Sequence, residues 1–341
     1  MTLPRYLLRR GLASVVTLIG ISILIFGIAR IIPGDPARIA LGPTATHEQV
    51  AELRQRLGLD DPLPVQYVRY VAGVLRGDLG PSLYTNRAVG LDLRETFPAT
   101  FELVLVSSLL MAGIGIPLGV VAARGRDGPV DHVTRLLSLL GVVTPSFVWA
   151  IFLMLFFSYY LGWLPVAGRL SEGMAPPAPI TGLYLIDAVL RGRWDAFGDA
   201  LAHITLPAVA LAMSGIGQAA RLTRANVAEA YNSPYIEMAR AYGVAERRIA
   251  MKYALKPALI PTLTILGLDI AVKLGNAFLV ESVFGWPGMA RYGVQTILHK
   301  DLNGIVGTVL VIAAFFLVIN AVVDFVVSLL NPRIRLGAAA R

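Results

Sequence analysis

Cysteine is absent from this chain of 341 residues, and charged residues make up only 15% of it. The absence of cysteine excludes disulfides, thiolate catalysis and cysteine-ligated metals. The four histidines are far apart and show no ligand-like spacing, so a metal site is not expected. No Gly-Lys dipeptide occurs, which excludes a Walker A loop. We therefore predict no catalytic residue, no metal and no cofactor bound by this chain.

Apolar residues, in contrast, are abundant. They make up 56% of the chain, and the mean hydropathy is +0.66. A soluble domain would carry about 25% charged residues, whereas a transmembrane helix needs about 20 mostly apolar ones. Within the second apolar run, Gly115 and Gly119 have the spacing that allows close helix packing, and Pro117 predicts a kink. We predict an all-α polytopic membrane protein with six transmembrane helices, at Leu12–Ile32, Leu103–Ala123, Leu136–Leu161, Ile204–Ala220, Leu259–Val283 and Gly304–Leu330.

The positive charges predict the orientation of these spans. With six spans, the arginines of both termini and of the loops near 124–135 and 221–256 lie on one side. The short loop 284–303 on the other side has only Arg291 and Lys300. The positive-inside rule then places both termini in the cytoplasm. The predicted divisions are 1–32 (N-terminal tail and first span), 33–100 (extracytoplasmic helical subdomain), 101–332 (transmembrane domain) and 333–341 (cytoplasmic tail).

Two helices are predicted in the outer subdomain. The first is capped by Thr46 and has apolar residues at Val50, Leu53 and Leu57, which is helical spacing. The second follows Asp61 and ends before Gly77. This subdomain is either a structured connector or a docking surface for an external protein, and the residues leave both interpretations open.

A short charged stretch, "YIEMARAYGVAERR" (Tyr235–Arg248), lies between the fourth and fifth spans. Serine and proline before it predict a helix start with a serine cap. Four apolar side chains share one face of this helix, and Gly243 can adopt the left-handed conformation that ends it. A second short helix should follow, broken by Pro257. From the residues alone, the apolar face, formed by Tyr235, Met238, Ala239 and Tyr242, suits either the lipid interface or a partner protein.

The same stretch resembles the EAA-loop signature of bacterial ABC-importer permeases. Glu237, Ala239 and Gly243 match the motif, Pro261 follows at a distance, and Met238 stands where alanine is usual. Further stretches, in order along nearly the whole chain, resemble the B-type permease of the dipeptide/oligopeptide/nickel importer family. They are "PGDP" (33–36), "RLGLDDPLPVQY" (56–67), "GDLG" (77–80), "FPATFEL" (97–103), "TPSF" (144–147), "HITLPA" (203–208), "VESVFGWPGM" (280–289) and "NPR" (331–333).

This resemblance implies a type I ABC-importer permease fold in the bacterial cytoplasmic membrane, with the outer helical insertion after the first helix. It implies transport of peptides by alternating access, with nickel chelates or glutathione as alternative cargo. The expected partners are a homologous second permease (C-type), one or two ABC ATPase subunits that bind ATP and Mg, an extracytoplasmic substrate-binding protein and membrane lipid, and not nucleic acid. The coupling helix is expected at about 234–243, with Tyr235, Glu237, Met238, Ala239, Tyr242 and Gly243 contacting the ATPase.

Charged residues in the fifth span are candidates for the translocation path. Asp269 and Lys273 are one helical turn apart and are too costly to face lipid. They either line the path and meet the charged ends of a peptide, or form a neutralised pair at a helix contact. Asn276 and Glu281 are placed near the outer end of the span as gate or scaffold residues. Trp286 is expected at the membrane interface as an aromatic anchor.

Two other classes of protein are disfavoured. A secondary transporter would need coupling-ion carboxylates at the midplane and internal repeats, but only Asp269 is a candidate and no repeat is evident. An intramembrane serine protease would need a GxSG-like motif and a base, but Ala212 occupies the first glycine position near Ser214.

Overall fold

A computed structural model of the chain describes residues 3–31, 35–42 and 44–330. The "NPR" stretch, part of "PGDP" and the C-terminal arginines lie outside these residues. The described chain is almost entirely helical and forms no strand, apart from one antiparallel bridge between Pro81 and Ala88. The all-α prediction is confirmed.

Fifteen helices follow one another in the described residues, with three π-helical turns at Met111–Gly115, Met154–Tyr160 and Ile249–Ala254. In chain order the helices are α1 (Leu3–Ile31), α2 (Pro36–Leu41), α3 (His47–Arg56), α4 (Leu63–Leu75), α5 (Val89–Leu110), α6 (Ile116–Arg124), α7 (Pro129–Val143), α8 (Ser146–Leu153), α9 (Tyr184–Leu190), α10 (Trp194–Tyr231), α11 (Pro234–Ala241), α12 (Glu246–Arg248), α13 (Leu255–Val283), α14 (Met289–Leu298) and α15 (Leu302–Leu330).

Among the described residues, five helical segments are long and apolar enough to cross a membrane. A sixth crossing is possible if the bent pair Pro129–Val143 and Ser146–Tyr160, with 103° between its parts, counts as one span. The chain is therefore a multi-pass membrane protein. The five segments are Gly11–Ile28, Val89–Arg124, Trp194–Tyr231, Glu246–Val283 and Leu302–Val327.

The predicted third span, Leu136–Leu161, falls on this bent pair and is not one continuous helix. The helix stops at Thr144, whose backbone is extended (φ −82°, ψ 122°), because the following Pro145 disfavours the helical conformation in the residue before it. A new helix then begins at Ser146 and passes into a π-helical turn.

The fourth span is much longer than the predicted Ile204–Ala220. Helix α10 has 38 residues and is about 57 Å long at 1.5 Å per residue, whereas the hydrocarbon core is about 30 Å thick. Hydropathy marks only the central part of such a helix, because its ends carry polar residues. It packs against α6, α7, α8 and α13, so it is the central helix of its unit.

The glycine spacing in the second span gives the predicted close packing. A Cβ added to Gly115 would lie 2.6 Å from the Cβ of Ala219, and one added to Gly119 would lie 2.6 Å from the carbonyl oxygen of Ala220. The backbones of α6 and α10 therefore approach closely. The π-helical turn ends at Gly115, within this contact and two residues before Pro117, where the kink was predicted.

Pro257 does not separate the second short helix from the fifth span, contrary to the prediction. The segment Glu246–Val283 is continuously helical through α12, a π-helical turn and α13. Pro257 lies in the first turn of α13, directly after the π-helical turn. The proline lies where the wider π-helical turn passes into the α-helix, and such irregular points are where a proline is commonly found within a helix.

The described chain divides into two compact units. The larger contains the described residues of 101–286 and 318–330, and the smaller contains those of 3–100 and 287–317. In the smaller unit, Thr46 and Gln49 form a capping box at the start of α3, which confirms the predicted cap. Gly77, with φ +80°, follows the end of α4 as expected. The domain divisions named above stay predictions.

Candidate functional site

The segment after α10 forms the short helix α11. Ser233 is extended (φ −85°, ψ 142°), Pro234 occupies the first helical position, and Gly243 has φ +73°. The predicted left-handed glycine is confirmed, and the helix ends two residues earlier than 243. The predicted serine side-chain cap is wrong, since the Ser233 hydroxyl makes no capping hydrogen bond.

Apolar side chains of α11 point in two directions rather than one. Ile236 is fully buried and Ala239 nearly so, and both pack in a cluster with Ile249. Met238 and Tyr242 are 61% and 81% exposed. The predicted single apolar face is therefore divided, with Ala239 turned inward. The sequence pattern missed Ile236 because α11 has only eight residues and most of them are apolar. Two different apolar faces can therefore be drawn on this helix equally well.

Tyr235 connects α11 to the start of the next span. Its hydroxyl donates to the carbonyl oxygen of Tyr253 at 3.4 Å. Pro257 has no N–H, so this carbonyl lacks the donor that an α-helix would supply four residues later. On the other side of the segment, Arg240 pairs with Glu246 at 2.6 Å, and this hydrogen bond raises the pKa of the guanidinium. The segment is thus fixed by local contacts.

Glu237, Met238 and Tyr242 are exposed side chains of this fixed segment. Such a small apolar surface on a rigid element suits insertion into a protein groove, because two large side chains are displayed with their backbone already ordered. Of the six predicted coupling residues, three are exposed here, Tyr235 is half exposed and bonded, Ala239 is buried, and Gly243 forms the joint.

An ion pair with a buried lysine and a partly buried aspartate lies within the larger unit. The Lys273 ammonium contacts the Asp269 carboxylate one turn before it on α13 and lies 3.1 Å from the sulfur of Met111. A Cβ added to Gly215 of α10 would lie 2.7 Å from the Lys273 nitrogen and 2.9 Å from an Asp269 oxygen. The pair therefore lies between α13, α10 and a π-helical turn, as expected for charges that avoid lipid.

The other two predicted path residues are not part of this pair. Asn276 is exposed and Glu281 is fully buried. Glu281 is eight residues beyond Lys273, which is about 12 Å along the helix axis. Trp286 is buried as well, with the Arg169 guanidinium 5.7 Å from its ring, so the predicted interfacial anchor is wrong.

Sequence reasoning missed a buried charge pair between Glu102 and Arg169. Their side chains are 2.6 Å apart, and the second Glu102 oxygen accepts from the backbone N–H of Leu185 at 2.7 Å. The Arg169 guanidinium also lies 3.5 Å from the ring centre of Tyr184. These contacts fix the segment between the bent pair and α10 onto α5. Glu102 belongs to the quoted "FPATFEL" stretch, which was the available signal.

A second missed network is centred on Asp131. This carboxylate is fully buried and accepts hydrogen bonds from both Arg224 (2.6 Å to one nitrogen) and Arg135 (2.8 Å). It joins α7 to α10. In the sequence this aspartate is one acidic residue among the positive charges of its loop, and nothing local pairs it with an arginine 93 positions away.

Family comparisons agree with this architecture. Residues 115–336 match the model of a family described as binding-protein-dependent transport system inner membrane component, and residues 3–104 match the model of its N-terminal region. A probable D,D-dipeptide transport system permease protein of Escherichia coli (strain K12) is 40% identical over 337 residues, covering 99% of both chains.

Two further relatives also match over nearly their whole length. A di/tripeptide transport system permease protein of Pseudomonas aeruginosa (strain UCBPP-PA14) is 38% identical, covering 97% of this chain and 98% of the relative. A glutathione transport system permease protein of Salmonella paratyphi A (strain ATCC 9150 / SARB42) is 34% identical, covering 97% and 98%.

One solved structure shares the fold. A chain of the MetNI methionine ABC transporter, in an inward-facing conformation, matches with a TM-score of 0.52 at 16% identity, covering 68% of this chain and 93% of that chain. At this identity the likeness establishes the fold alone, which is that of a type I ABC-importer permease.

Proposed function

The chain belongs to the family of binding-protein-dependent transport system inner membrane components, and we propose that the ATP-driven importer to which it contributes carries short peptides. As a permease subunit, it provides the membrane passage. The observation that supports peptides as cargo is the 40% and 38% identity, over nearly full length, to relatives named for D,D-dipeptide and di/tripeptide transport. ATP and Mg are bound by partner subunits.

The complete importer contains a second, C-type permease, one or two ATP-binding subunits and an extracytoplasmic substrate-binding protein. Both termini of this chain face the cytoplasm, which the distribution of arginines supports. The absence of cysteine makes this orientation easy to test. In inverted and right-side-out vesicles, a membrane-impermeant maleimide should label Arg126→Cys from the cytoplasmic side and Gln55→Cys from the outside. The reverse pattern would exclude the orientation.

Coupling to the ATPase takes place through α11. Met238 and Tyr242 enter a groove of an ATP-binding subunit, with Glu237 at its edge, while Tyr235, Ala239 and Gly243 fix the helix on this chain. The division between exposed and buried side chains supports this assignment. Met238→Ala with Tyr242→Ala should leave the complex assembled and hydrolysing ATP but reduce uptake. Unchanged uptake would exclude the role.

The translocation path passes the ion pair of Asp269 and Lys273. Asn276 contributes to the path from its exposed position, and the buried Glu281 holds the outer end of α13 as a gate or scaffold residue. A zwitterionic peptide has one charge for each member of the ion pair, which supports a role in passing peptide termini.

Uptake by the reconstituted importer tests the cargo. Proteoliposomes containing both permeases and the ATP-binding subunits, with the binding protein outside and ATP inside, should accumulate a radiolabelled dipeptide. With ADP inside they should not. Excess unlabelled dipeptide should compete, whereas glutathione and a nickel chelate should not. Accumulation of glutathione or the nickel chelate in place of the dipeptide would contradict the proposal.

A further inference from the structure

Helix α4, in the segment after the first span, has an apolar surface that no described residue covers. Val65, Val68 and Leu75 are spaced by three and seven residues and are 47%, 66% and 83% exposed. These three residues are called the apolar α4 face. Exposed apolar residues at helical spacing on one side of a short helix are typical of a contact surface rather than of scattered surface residues.

The opposite side of α4 packs directly on the first transmembrane helix. The Tyr67 hydroxyl and the Ser22 hydroxyl are 2.8 Å apart, and the ring centre of Phe26 lies 5.4 Å from that of Tyr67 and 5.9 Å from that of Tyr70. Tyr70 also packs in a cluster with Ile25 of α1. The helix is thus held along α1 by side chains from two of its turns.

These contacts determine the depth of α4. The apolar span within α1 is Gly11–Ile28, and Ser22 lies six residues, about 9 Å, inside its C-terminal end. The hydrocarbon core is about 30 Å thick, so one leaflet contributes about 15 Å. Tyr67 bonds Ser22 and packs on Phe26, so the side of α4 that faces α1 lies at the level of one leaflet.

The composition of α4 is compatible with that depth. Arg69 is its only charged residue, and its guanidinium pairs with Asp61 beyond the helix start at 2.7 Å. A long arginine side chain can reach the headgroup region from a backbone placed deeper. The buried Gln66 amide donates to the carbonyls of Leu59 and Asp61, so its N–H groups are satisfied. With 13 residues, α4 is too short to cross the bilayer.

The neighbouring surface of α1 is apolar and is left uncovered by the described residues. Val16, Ile19 and Ile23 of the span are all more than half exposed in the chain. The apolar α4 face extends this surface sideways.

We propose that α4 is embedded in the membrane leaflet at the C-terminal end of α1, with the apolar α4 face against lipid acyl chains. In the orientation proposed above this is the outer leaflet. The occupant of the face is lipid, and the substrate-binding protein docks elsewhere.

Site-directed spin labelling tests this depth. Because the chain has no cysteine, Val68→Cys and Leu75→Cys can each be labelled specifically in the purified chain, which is then assembled with its partner subunits into the full importer in lipid nanodiscs. Gln55→Cys on the exposed surface of α3 is the matched control. Collision rates with molecular oxygen, which concentrates in lipid, and with a water-soluble nickel chelate report the environment of each label.

At Val68 and Leu75 the ratio of oxygen to nickel accessibility should be several-fold higher than at Gln55. Adding the binding protein should leave this ratio unchanged. Both α4 sites are exposed in the chain, so the labels should not disturb folding, and retained ATP hydrolysis by each labelled complex checks this. The proposal would be overturned if the ratios at both sites equalled that at Gln55. It would also be overturned if the nickel accessibility of the α4 sites fell only when the binding protein was added.

Discussion

The ion pair of Asp269 and Lys273 allows a quantitative test of how charge is compensated inside the larger unit. Lys273 is buried, and its charged nitrogen has only the Asp269 carboxylate and the Met111 sulfur as partners in the described residues. Removing one partner of a buried pair costs about 3–5 kcal/mol, because a charge remains without compensation. Replacing both partners by apolar residues of similar size is often neutral or stabilising. Asp269→Ala should therefore destabilise by about 3–5 kcal/mol, and Asp269→Leu with Lys273→Met should recover most of that loss.

The measurement is denaturant-induced unfolding of the purified protein in detergent, followed by tryptophan fluorescence. Asp195→Ala is the matched control, since it breaks the solvent-exposed pair with Arg193. Exposed pairs contribute about 0–1 kcal/mol, so the control should unfold almost like the wild type. A loss for Asp269→Ala as small as that of the control would refute the assignment of a compensated buried charge. A double variant as unstable as Asp269→Ala would refute it as well.

The same double variant separates the two interpretations of the pair. If it is stable, its dipeptide uptake can be compared directly with that of the wild type. Reduced uptake supports a role in the path. Normal uptake of all peptides would remove both residues from the path and leave a structural contact between α13 and α10.

Three other substitutions test local packing and electrostatics. Ile236→Ala removes a fully buried side chain from the base of α11 and should cost about 2–5 kcal/mol in unfolding free energy, so an unchanged value would contradict the inward face. Gly217→Ala should lower the unfolding temperature markedly, since its Cβ would lie 2.5 Å from the backbone oxygen of Ser138. In the control Gly275→Ala, nothing lies within 4 Å of the added Cβ, so stability should be unchanged or rise by up to about 1 kcal/mol. Equal effects of the two substitutions would refute the close packing at Gly217. Burial opposes ionisation of Asp187, but hydrogen bonds from the preceding turn outweigh it and hold its pKa below the ordinary value. This contribution to stability is present above about pH 4 and is lost as the pH falls further, so cleavage by an acid-active protease near this loop should rise below about pH 4 in the wild type. Asp187→Asn should flatten that dependence, and an unchanged pH profile would contradict it.

Features set by local chemistry could be predicted from the sequence. The cap at Thr46, the left-handed Gly243 and the close approach at Gly115 and Gly119 each depend on a few neighbouring residues. Apolar length located the apolar part of each span but not its ends, because the hydrocarbon thickness sets a minimum length for any helix that crosses it.

Features set by tertiary contacts could not be predicted. The Glu102–Arg169 pair joins residues 67 positions apart, and the Asp131–Arg224 pair joins residues 93 positions apart. Whether these charged side chains are buried decides their structural role, and a count of charges along the sequence does not show which of them are buried. Trp286 was misplaced for the same reason, since an interfacial tryptophan and a buried one have the same local sequence.

Backbone irregularities were also difficult to predict. Pro145 ends a helix, whereas Pro257 lies inside one, although both follow helical patterns. The difference is their position, because Pro257 is within the first turn of α13 after a π-helical turn.

The central claim, that α11 transmits the action of a separate ATP-binding subunit, is tested most directly by photo-crosslinking. Met238→Cys carries a benzophenone in this cysteine-free chain, within the complete importer in lipid vesicles, with Gln55→Cys as the control. We predict a covalent adduct between the Met238 position and the ATP-binding subunit, and none from the Gln55 position. Adducts of the Met238 position with lipid only would contradict the account.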